Sequence, residues 1–429
     1  MRKLVKMSIV AASLVATSAM AADKGIDIAV TGQAALYYQT VAGNGNGEEN
    51  LFDSSKSRAN AGLQLNLDAD LKNNFTFGSQ ITYLGTAGLQ KNLVDHTPQN
   101  INGAVGTSNG INDDIYLSQL YVAKKIANTT VKIGRQELPM SLSPFAYSED
   151  WSVFKNTFDA ILAVNTDLPD TTVVGAYVSG GNYNGPIDQN MAQFGDLLVT
   201  GNDGSTAAVE STAYMATVQN KSIPMATVTA TYYSVSNVRA DATATVDADI
   251  VWGDVTITDK SLPMGLTVGL QGGSMMVDAS GAKDTNAFGA KVSIKPINPL
   301  TLCLAYSSVN DGDVALVNVG GVKTPLYTQM IANQDPISMD ADTIMVKAAY
   351  DMGEYGSVTL QDGFTSAGDV NRENRGGKQT DYNDLELIYK IKSGGVQYFA
   401  AIVNRSWSED TATGMDNQNW IRVWGRYNF

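Results

Sequence analysis

The segment from Asn419 to Phe429 alternates strictly between two kinds of side chain. One set is apolar and ends in aromatic rings: Ile421, Val423, Tyr427 and Phe429. The other set carries both arginines: Trp420, Arg422, Trp424, Arg426 and Asn428. Because a β-strand sends alternate residues to opposite faces, this period of two predicts a strand with one apolar and one polar face. Aromatic residues at the end of the apolar face are typical of strands that cross a membrane in a β-barrel.

The first 21 residues have the three regions of a secretory signal peptide. Arg2, Lys3 and Lys6 precede an apolar run, and Ala19-Met20-Ala21 has the small-x-small pattern of a cleavage site. We therefore expect residues 1–21 to be removed and the mature chain to start at Ala22. No later stretch approaches the roughly 20 apolar residues that a membrane helix needs, which leaves a soluble protein or a β-barrel.

The acidic balance of the chain argues against nucleic acid as a partner. The full sequence has 29 basic and 43 acidic residues, a net charge of −14. Removing Arg2, Lys3 and Lys6 with the leader leaves 26 basic residues against 43 acidic ones, a net charge of −17.

Strand-like segments recur along the whole chain, and several alternate as cleanly as the last one. Residues 58–69 place Leu63, Leu65 and Leu67 opposite Gln64 and Asn66, for example. Eighteen strands are predicted to start near residues 26, 57, 73, 114, 129, 158, 171, 209, 225, 244, 264, 284, 299, 341, 354, 381, 395 and 418. Since no linker or composition shift divides them, residues 22–429 are predicted to form one domain.

The connections between these strands alternate in length. Short turns rich in Gly, Pro, Asn and Asp follow the even-numbered strands, and such residues form tight hairpins. Long polar stretches follow most odd-numbered strands, at residues 41–56, 85–112, 181–208, 311–340 and 365–380. This alternation predicts an all-β fold, a transmembrane antiparallel β-barrel of about 18 strands with short periplasmic turns and long extracellular loops.

Three motifs resemble the Campylobacter-type major outer membrane porins, which are related to the OprD-type channels. They are Val131–Pro139 (VKIGRQELP), Asn156–Asp159 (NTFD) and Asn165–Tyr177 (NTDLPDTTVVGAY). The resemblance implies an eighteen-stranded barrel of the bacterial outer membrane, usually trimeric, that lets ions and small hydrophilic solutes diffuse passively. It also implies a third loop, at residues 138–157, that folds inward and narrows the pore. The last strand resembles those that the barrel-assembly machinery reads, with Trp424, Tyr427 and Phe429 as the signal.

Charged residues on the polar parity are predicted to face the lumen, because a charge facing lipid at the midplane costs about 2–4 kcal/mol. The pore-lining residues predicted by parity are Arg58, Asp68, Lys132, Lys347, Glu386, Lys390, Arg405, Arg422 and Arg426. The third loop implied by the resemblance adds Glu149, Asp150 and Lys155 as constriction residues. OprD-type channels carry a basic ladder that guides carboxylates, but here acidic residues accompany the basic ones. Ion pairs that merely keep the wall rigid are an equally good interpretation of any single residue.

Two further hypotheses concern ligands and alternative functions. Related porins bind calcium near the constriction, and Asp113, Asp114 and Glu149 can supply hard oxygen ligands of the kind that calcium prefers. A barrel-type lipase or protease is the main alternative function, with His96 beside Asp95 as the only histidine available. A surface adhesin is the second alternative, but we find no repeat of fixed period. The favoured hypothesis is a channel that needs no catalytic residue and no cofactor.

Overall fold

The computed structural model describes residues 26–42, 50–86, 88, 93–94, 97–100, 114–184, 189–190, 197–200, 206–209, 211–239, 245–370, 381–407 and 417–429. The predicted leader, residues 1–21, lies outside these ranges, as do Asp95, His96 and Asp113. Within the described residues, no helix has the length and apolar character that crossing a bilayer requires.

The described residues form eighteen long antiparallel strands. They are β1 (Asp27–Ala42), β2 (Ser57–Lys72), β3 (Phe75–Gly85), β4 (Asp114–Ile126), β5 (Thr129–Gln136), β6 (Phe158–Asn165), β7 (Thr171–Gly181), β8 (Ala213–Asn220), β9 (Ala226–Arg239), β10 (Thr245–Thr258), β11 (Thr267–Asp278), β12 (Thr285–Ile297), β13 (Leu300–Val309), β14 (Ala341–Asp351), β15 (Ser357–Ala367), β16 (Asp381–Ser393), β17 (Val396–Trp407) and β18 (Gln418–Asn428). Short helical turns lie at Ser54–Lys56, Pro263–Gly265, Gln334–Ile337 and Gly353–Tyr355. Two small sheets, separate from the eighteen-stranded sheet, pair Gln99–Asn100 with Gln189–Asn190, and Leu197–Thr200 with Thr206–Val209.

The strands close into a barrel. Each strand pairs with its neighbour in sequence, and β1 also pairs with β18. At the seam, the backbone N–H of Gly32 donates to the carbonyl of Phe429 at 2.8 Å, and the N–H of Phe429 donates to the carbonyl of Gly32 at 2.9 Å. The predicted all-β barrel is confirmed, and every predicted strand start lies within four residues of the observed one.

Alternation divides each strand into an outer and a lumenal face. On β18, Val423 and Tyr427 point outward, while Arg422 is buried on the lumenal side. The outer surface carries exposed apolar side chains, among them Leu36, Ile133, Ile161, Leu304 and Ile402. An apolar outer band with polar residues inside is the pattern of a barrel that contacts lipid.

Left-handed backbone conformations make the short turns possible. Asn73 and Asn74 have φ of 52° and 64° between β2 and β3, and Gly394 and Gly395 have φ of 58° and 83° between β16 and β17. These residue types tolerate positive φ, which the tightest hairpins require. Among the long connections, residues 137–157 after β5 form loop L3, and residues 310–340 after β13 form loop L7.

Candidate pore constriction

Loop L3 buries apolar side chains even though it only connects two strands. Leu138, Phe145 and Phe154 are each 2% exposed. The Phe145 ring meets the rings of Trp252 and Tyr233 edge-on, with centroids 5.2 Å and 6.0 Å apart. Both partners are buried on the lumenal faces of β9 and β10. The first half of L3 therefore packs against the inner wall there.

The second half of L3 is fixed to β18. Arg422 donates to the carbonyl oxygen of Trp151 at 3.2 Å, and its guanidinium lies 4.3 Å from the centre of the Trp151 ring. Arg426 donates to the carbonyl oxygens of Ser152 and Val153 at 2.8 Å and 3.1 Å. Because β9 and β18 are nine strands apart in a barrel of eighteen, L3 crosses the lumen from one side to the other.

Loop L7 also lies inside the barrel. Glu386 of β16 accepts hydrogen bonds from the backbone N–H groups of Ile331 and Ala332, at 2.8 Å and 3.1 Å. Arg405 of β17 donates to the carbonyl of Ala332 and forms a buried ion pair with Asp384 at 2.8 Å. Strands β16 and β17 thus hold L7 through both the donors and the acceptors of its backbone.

A buried carboxylate joins L3 to L7. Glu149 of L3 is 2% exposed and accepts hydrogen bonds from three donors of L7. The donors are the backbone N–H of Val322 at 2.9 Å, the backbone N–H of Lys323 at 3.0 Å and the side-chain amide of Asn318 at 3.0 Å. Burial raises the pKa of Glu149 above its usual value, and the nearby Lys323 opposes that shift. Three N–H donors on two oxygens suit an ionised carboxylate.

Further hydrogen bonds tie the two loops to each other and to their surroundings. The indole N–H of Trp151 donates to the carbonyl of Ile331 at 2.9 Å. Gln99, in the segment before β4, both donates to the carbonyl of Phe154 and accepts from its N–H, at 2.8 Å and 2.9 Å. The amide of Asn184 donates to the carbonyl of Glu149 at 2.7 Å. The backbone of L3 is therefore held by side chains from several elements.

Two exposed ion pairs remain beside the loops. Lys155 and Glu137, both of L3, are 2.9 Å apart and are 48% and 37% exposed. Asp150 of L3 lies 2.8 Å from Lys323 of L7. The charge of Lys323 lowers the pKa of Asp150 from 3.8 to about 2. These pairs, unlike the buried Arg405–Asp384 pair, can present charge to a passing solute.

The other charges predicted from parity lie on the lumenal faces of their strands. Their register partners include lumenal residues, as when Arg58 pairs with Gln39 and Lys347 with Gln361. Lys132 lies 3.5 Å from the centre of the Tyr121 ring, whose hydroxyl donates to Asp68 at 3.3 Å. Five predicted residues thus lie along the lumenal wall: Arg58, Asp68, Lys132, Lys347 and Lys390.

Besides these five wall residues, the predicted site residues fall into two further groups. The first group forms hydrogen bonds with the backbone or side chains of L3 and L7, and its members are Glu149, Glu386, Arg405, Arg422 and Arg426. They hold L3 and L7 in place. From the sequence, the four strand residues had been predicted to line the pore or to form wall ion pairs, and Glu149 to lie in the constricting third loop. Asp150 and Lys155 stand beside the loops in exposed pairs.

The aromatic residues predicted as an assembly signal divide between the two faces. Tyr427 and Phe429 point outward, are 46% and 50% exposed, and have ring centroids 6.1 Å apart. Trp424 faces the lumen, where its ring stacks on Phe399 at 5.0 Å and lies 4.2 Å from the guanidinium of Arg426.

The structure leaves the calcium prediction untested. Asp113 lies outside the described residues, and only the backbone of Asp114 is described. Glu149 is surrounded by N–H donors, which is the environment of a carboxylate that accepts hydrogen bonds rather than of one that binds a metal ion. Among the described side chains, no three of His, Cys, Asp and Glu are grouped to hold a metal ion.

Sequence reasoning missed the inward position of L7. The loop carries apolar residues that a solvated extracellular loop does not need, among them Val314, Leu316, Val322, Leu326 and Ile337. All five are buried. Their clustering in one 31-residue connection was the available signal, since apolar loop residues need a surface to cover them.

Solved structures with the same overall fold cover nearly the whole chain. Pseudomonas aeruginosa OccK8 (OprE) has a TM-score of 0.70 at 16% identity, covering 94% of this chain and 98% of its own. P. aeruginosa OpdK with vanillate has a TM-score of 0.70 at 13% identity, covering 93% and 98%. Acinetobacter baumannii OccAB3 has a TM-score of 0.69 at 13% identity, covering 93% and 99%.

No protein-family model and no curated protein sequence matches the chain. At these identities the similarity concerns the fold alone. The chain is thus similar, over almost its full length, to a group of barrels that includes an outer membrane protein of P. aeruginosa, OpdK.

Proposed function

We propose that this chain is an outer-membrane porin, a passive diffusion channel for ions and small hydrophilic solutes. The observation that carries the proposal is a closed eighteen-stranded barrel whose lumen contains two anchored loops, L3 and L7. Charged side chains stand beside those loops and along the lumenal wall. Such an arrangement selects diffusing solutes by the width of the pore and by the electric field of its side chains, and it requires no covalent step.

The apolar outer surface supports a bilayer location. Side chains such as Leu36 and Ile133 are more than half exposed and point away from the lumen. Closed barrels can span a bilayer because every strand satisfies its neighbours' backbone groups. The similar structure of OpdK, an outer membrane protein, supports the bacterial outer membrane as that location.

Three finer proposals rest on the sequence resemblance. They are membership of the Campylobacter-type porins, assembly as a homotrimer, and recognition of the last strand by the barrel-assembly machinery. The outward position of Tyr427 and Phe429 supports the last of these, because a docking protein can reach them. Chemical cross-linking in native membranes tests the trimer, and a species larger than three copies or only monomer would contradict it. Replacing both rings with alanine tests the assembly signal, which predicts reduced insertion.

The experiment that tests channel function is planar-bilayer recording of the purified protein under a salt gradient. We expect discrete, ohmic current steps that persist without any energy source. The reversal potential then reports the ion preference of the lumen. Protein that inserts into the bilayer but gives no steps would contradict the proposal.

A further inference from the structure

A cavity of about 550 Å³ lies between the tip of L3 and the wall formed by β18, β1, β2 and β3. Six of its fourteen lining residues carry a carboxamide or hydroxyl group, four are charged, and four are glycine or apolar. The uncharged polar residues of the lining are Thr31, Gln33, Gln64, Asn66, Gln80 and Asn428.

The strand register explains why these amides meet. Gln33 of β1 pairs with Asn428 of β18 on one side and with Gln64 of β2 on the other. Asn66 of β2 pairs in the same way with Gln80 of β3. Four neighbouring strands therefore place their amides in two adjacent rows on the lumenal face.

The amides orient one another but keep free hydrogen-bonding groups. The amide N–H₂ of Gln33 donates to the side-chain oxygen of Asn428 at 2.8 Å, and that of Gln64 donates to the side-chain oxygen of Gln80 at 3.1 Å. The N–H₂ of Gln80 donates to Asn66 at 2.8 Å. Within the described part of the chain, the side-chain carbonyls of Gln33 and Gln64 receive no hydrogen bond.

The four charged side chains of the lining balance one another in sign, because Glu137 and Asp150 are negative while Lys155 and Arg426 are positive. Lys155 and Glu137 form one pair and Asp150 and Lys323 form another. Arg426 directs its guanidinium to two backbone carbonyls of L3. Because these charges balance, the lining offers hydrogen bonds without a strong field of one sign.

We propose that this cavity is a binding subsite for small uncharged polyhydroxyl solutes such as monosaccharides. A sugar hydroxyl both donates and accepts, as a carboxamide does, so oriented amides can replace the water that a sugar loses on entering. A carboxylate only accepts hydrogen bonds and an ammonium group only donates them, so either would pair with only the N–H₂ or only the carbonyl of each amide. The inference rests on the channel function proposed above and specifies which solutes its lumen favours.

The test is glucose binding measured from current noise in planar bilayers, with wild-type protein and the variant Gln33→Leu/Gln64→Leu. Leucine keeps the approximate volume but removes the hydrogen-bonding groups. We expect the double variant to keep its potassium chloride steps and to bind glucose about tenfold more weakly, as expected for the loss of two modest hydrogen bonds. Gln219→Leu is the matched control, because Gln219 lies on the lumenal face of β8 and bonds Thr229 at 3.2 Å, away from the cavity.

Several results would overturn the subsite. Unchanged glucose binding in the double variant would do so, as would equal weakening by Gln219→Leu or tighter binding of gluconate than of glucose by the wild type. If the double variant gives no current steps, Gln33→Leu and Gln64→Leu are measured singly, and unchanged binding in both has the same meaning. Loss of all conductance in the wild type would instead contradict the channel function itself.

Discussion

Replacing Glu149 with alanine should release the junction between L3 and L7. The carboxylate accepts from Val322, Lys323 and Asn318, and all three donors would lose their acceptor. Leaving a buried donor unsatisfied costs about 1–3 kcal/mol. Taking the low end for each, because water can enter the gap, the docked arrangement loses about 3 kcal/mol. That corresponds to about a hundredfold shift in the equilibrium between docked and undocked loops.

Single-channel recording can measure that shift. We expect Glu149→Ala channels to spend about a hundredfold more time in conductance states outside the main level. Glu149→Gln should give a smaller effect, because its amide oxygen can still serve one of the donors. Glu137→Ala is the control, since Glu137 belongs to the same loop but forms no hydrogen bond or ion pair with L7 in the described part of the chain. It forms an exposed pair with Lys155, worth about 0–1 kcal/mol, and accepts a hydrogen bond from the Gln119 side chain at 3.3 Å. Quiet Glu149→Ala channels, or equally noisy Glu137→Ala channels, would refute the role assigned to Glu149.

Three other predictions follow from the same contacts. Asp384→Ala leaves the buried Arg405 without its carboxylate partner, so we expect the unfolding free energy to fall by about 3–5 kcal/mol. The thermal midpoint measured by circular dichroism should drop accordingly. Lys155→Ala, which removes an exposed pair, should leave that midpoint nearly unchanged. Lys323 lowers the pKa of Asp150 from 3.8 to about 2, so this pair should stabilise the docking of L3 on L7 fully above pH 3.8 and lose that effect as the pH falls toward 2. The current of wild-type channels should therefore become noisier between pH 3.8 and pH 2. Asp150→Asn channels, which lack the charge at every pH, should be noisy already at neutral pH. Gly32→Val should weaken closure of the barrel between β1 and β18, because a Cβ at Gly32 would lie 2.4 Å from the Phe429 ring. The measurement is gel electrophoresis, in which the variant should lose the heat-resistant migration of the folded barrel. Ala34→Val is the control. Noise independent of pH in the wild type, or equal migration of the two valine variants, would contradict these assignments.

The barrel could be predicted because its determinants are local. Alternation in segments such as residues 58–69 depends only on neighbours in sequence, and turns such as Asn73-Asn74 depend on the conformations that single residues allow. The inward direction of Arg422 and Arg426 followed from the same alternation, because a charge facing lipid is costly. Strand starts, strand faces and closure are thus accessible to pattern reasoning.

The constriction could not be predicted in the same way because its contacts are distant in sequence. Arg422 bonds Trp151 across 271 positions, and Glu149 bonds Val322 across 173. Alternation states which face a side chain occupies but not which loop will meet it there. Arg422 and Arg426, whose parity suggested a basic ladder along the pore, consequently donate to backbone carbonyls of L3.

The central claim is that Arg422 and Arg426 hold L3 across the lumen and thereby set the width of a passive pore. The most direct measurement is the single-channel conductance of wild-type protein and of the Arg422→Ala/Arg426→Ala double variant in the same salt. The predicted result is discrete ohmic steps in both, with larger and noisier steps in the double variant, because the tip of L3 has lost its anchors on β18. Steps of equal size and equal noise would contradict the claim.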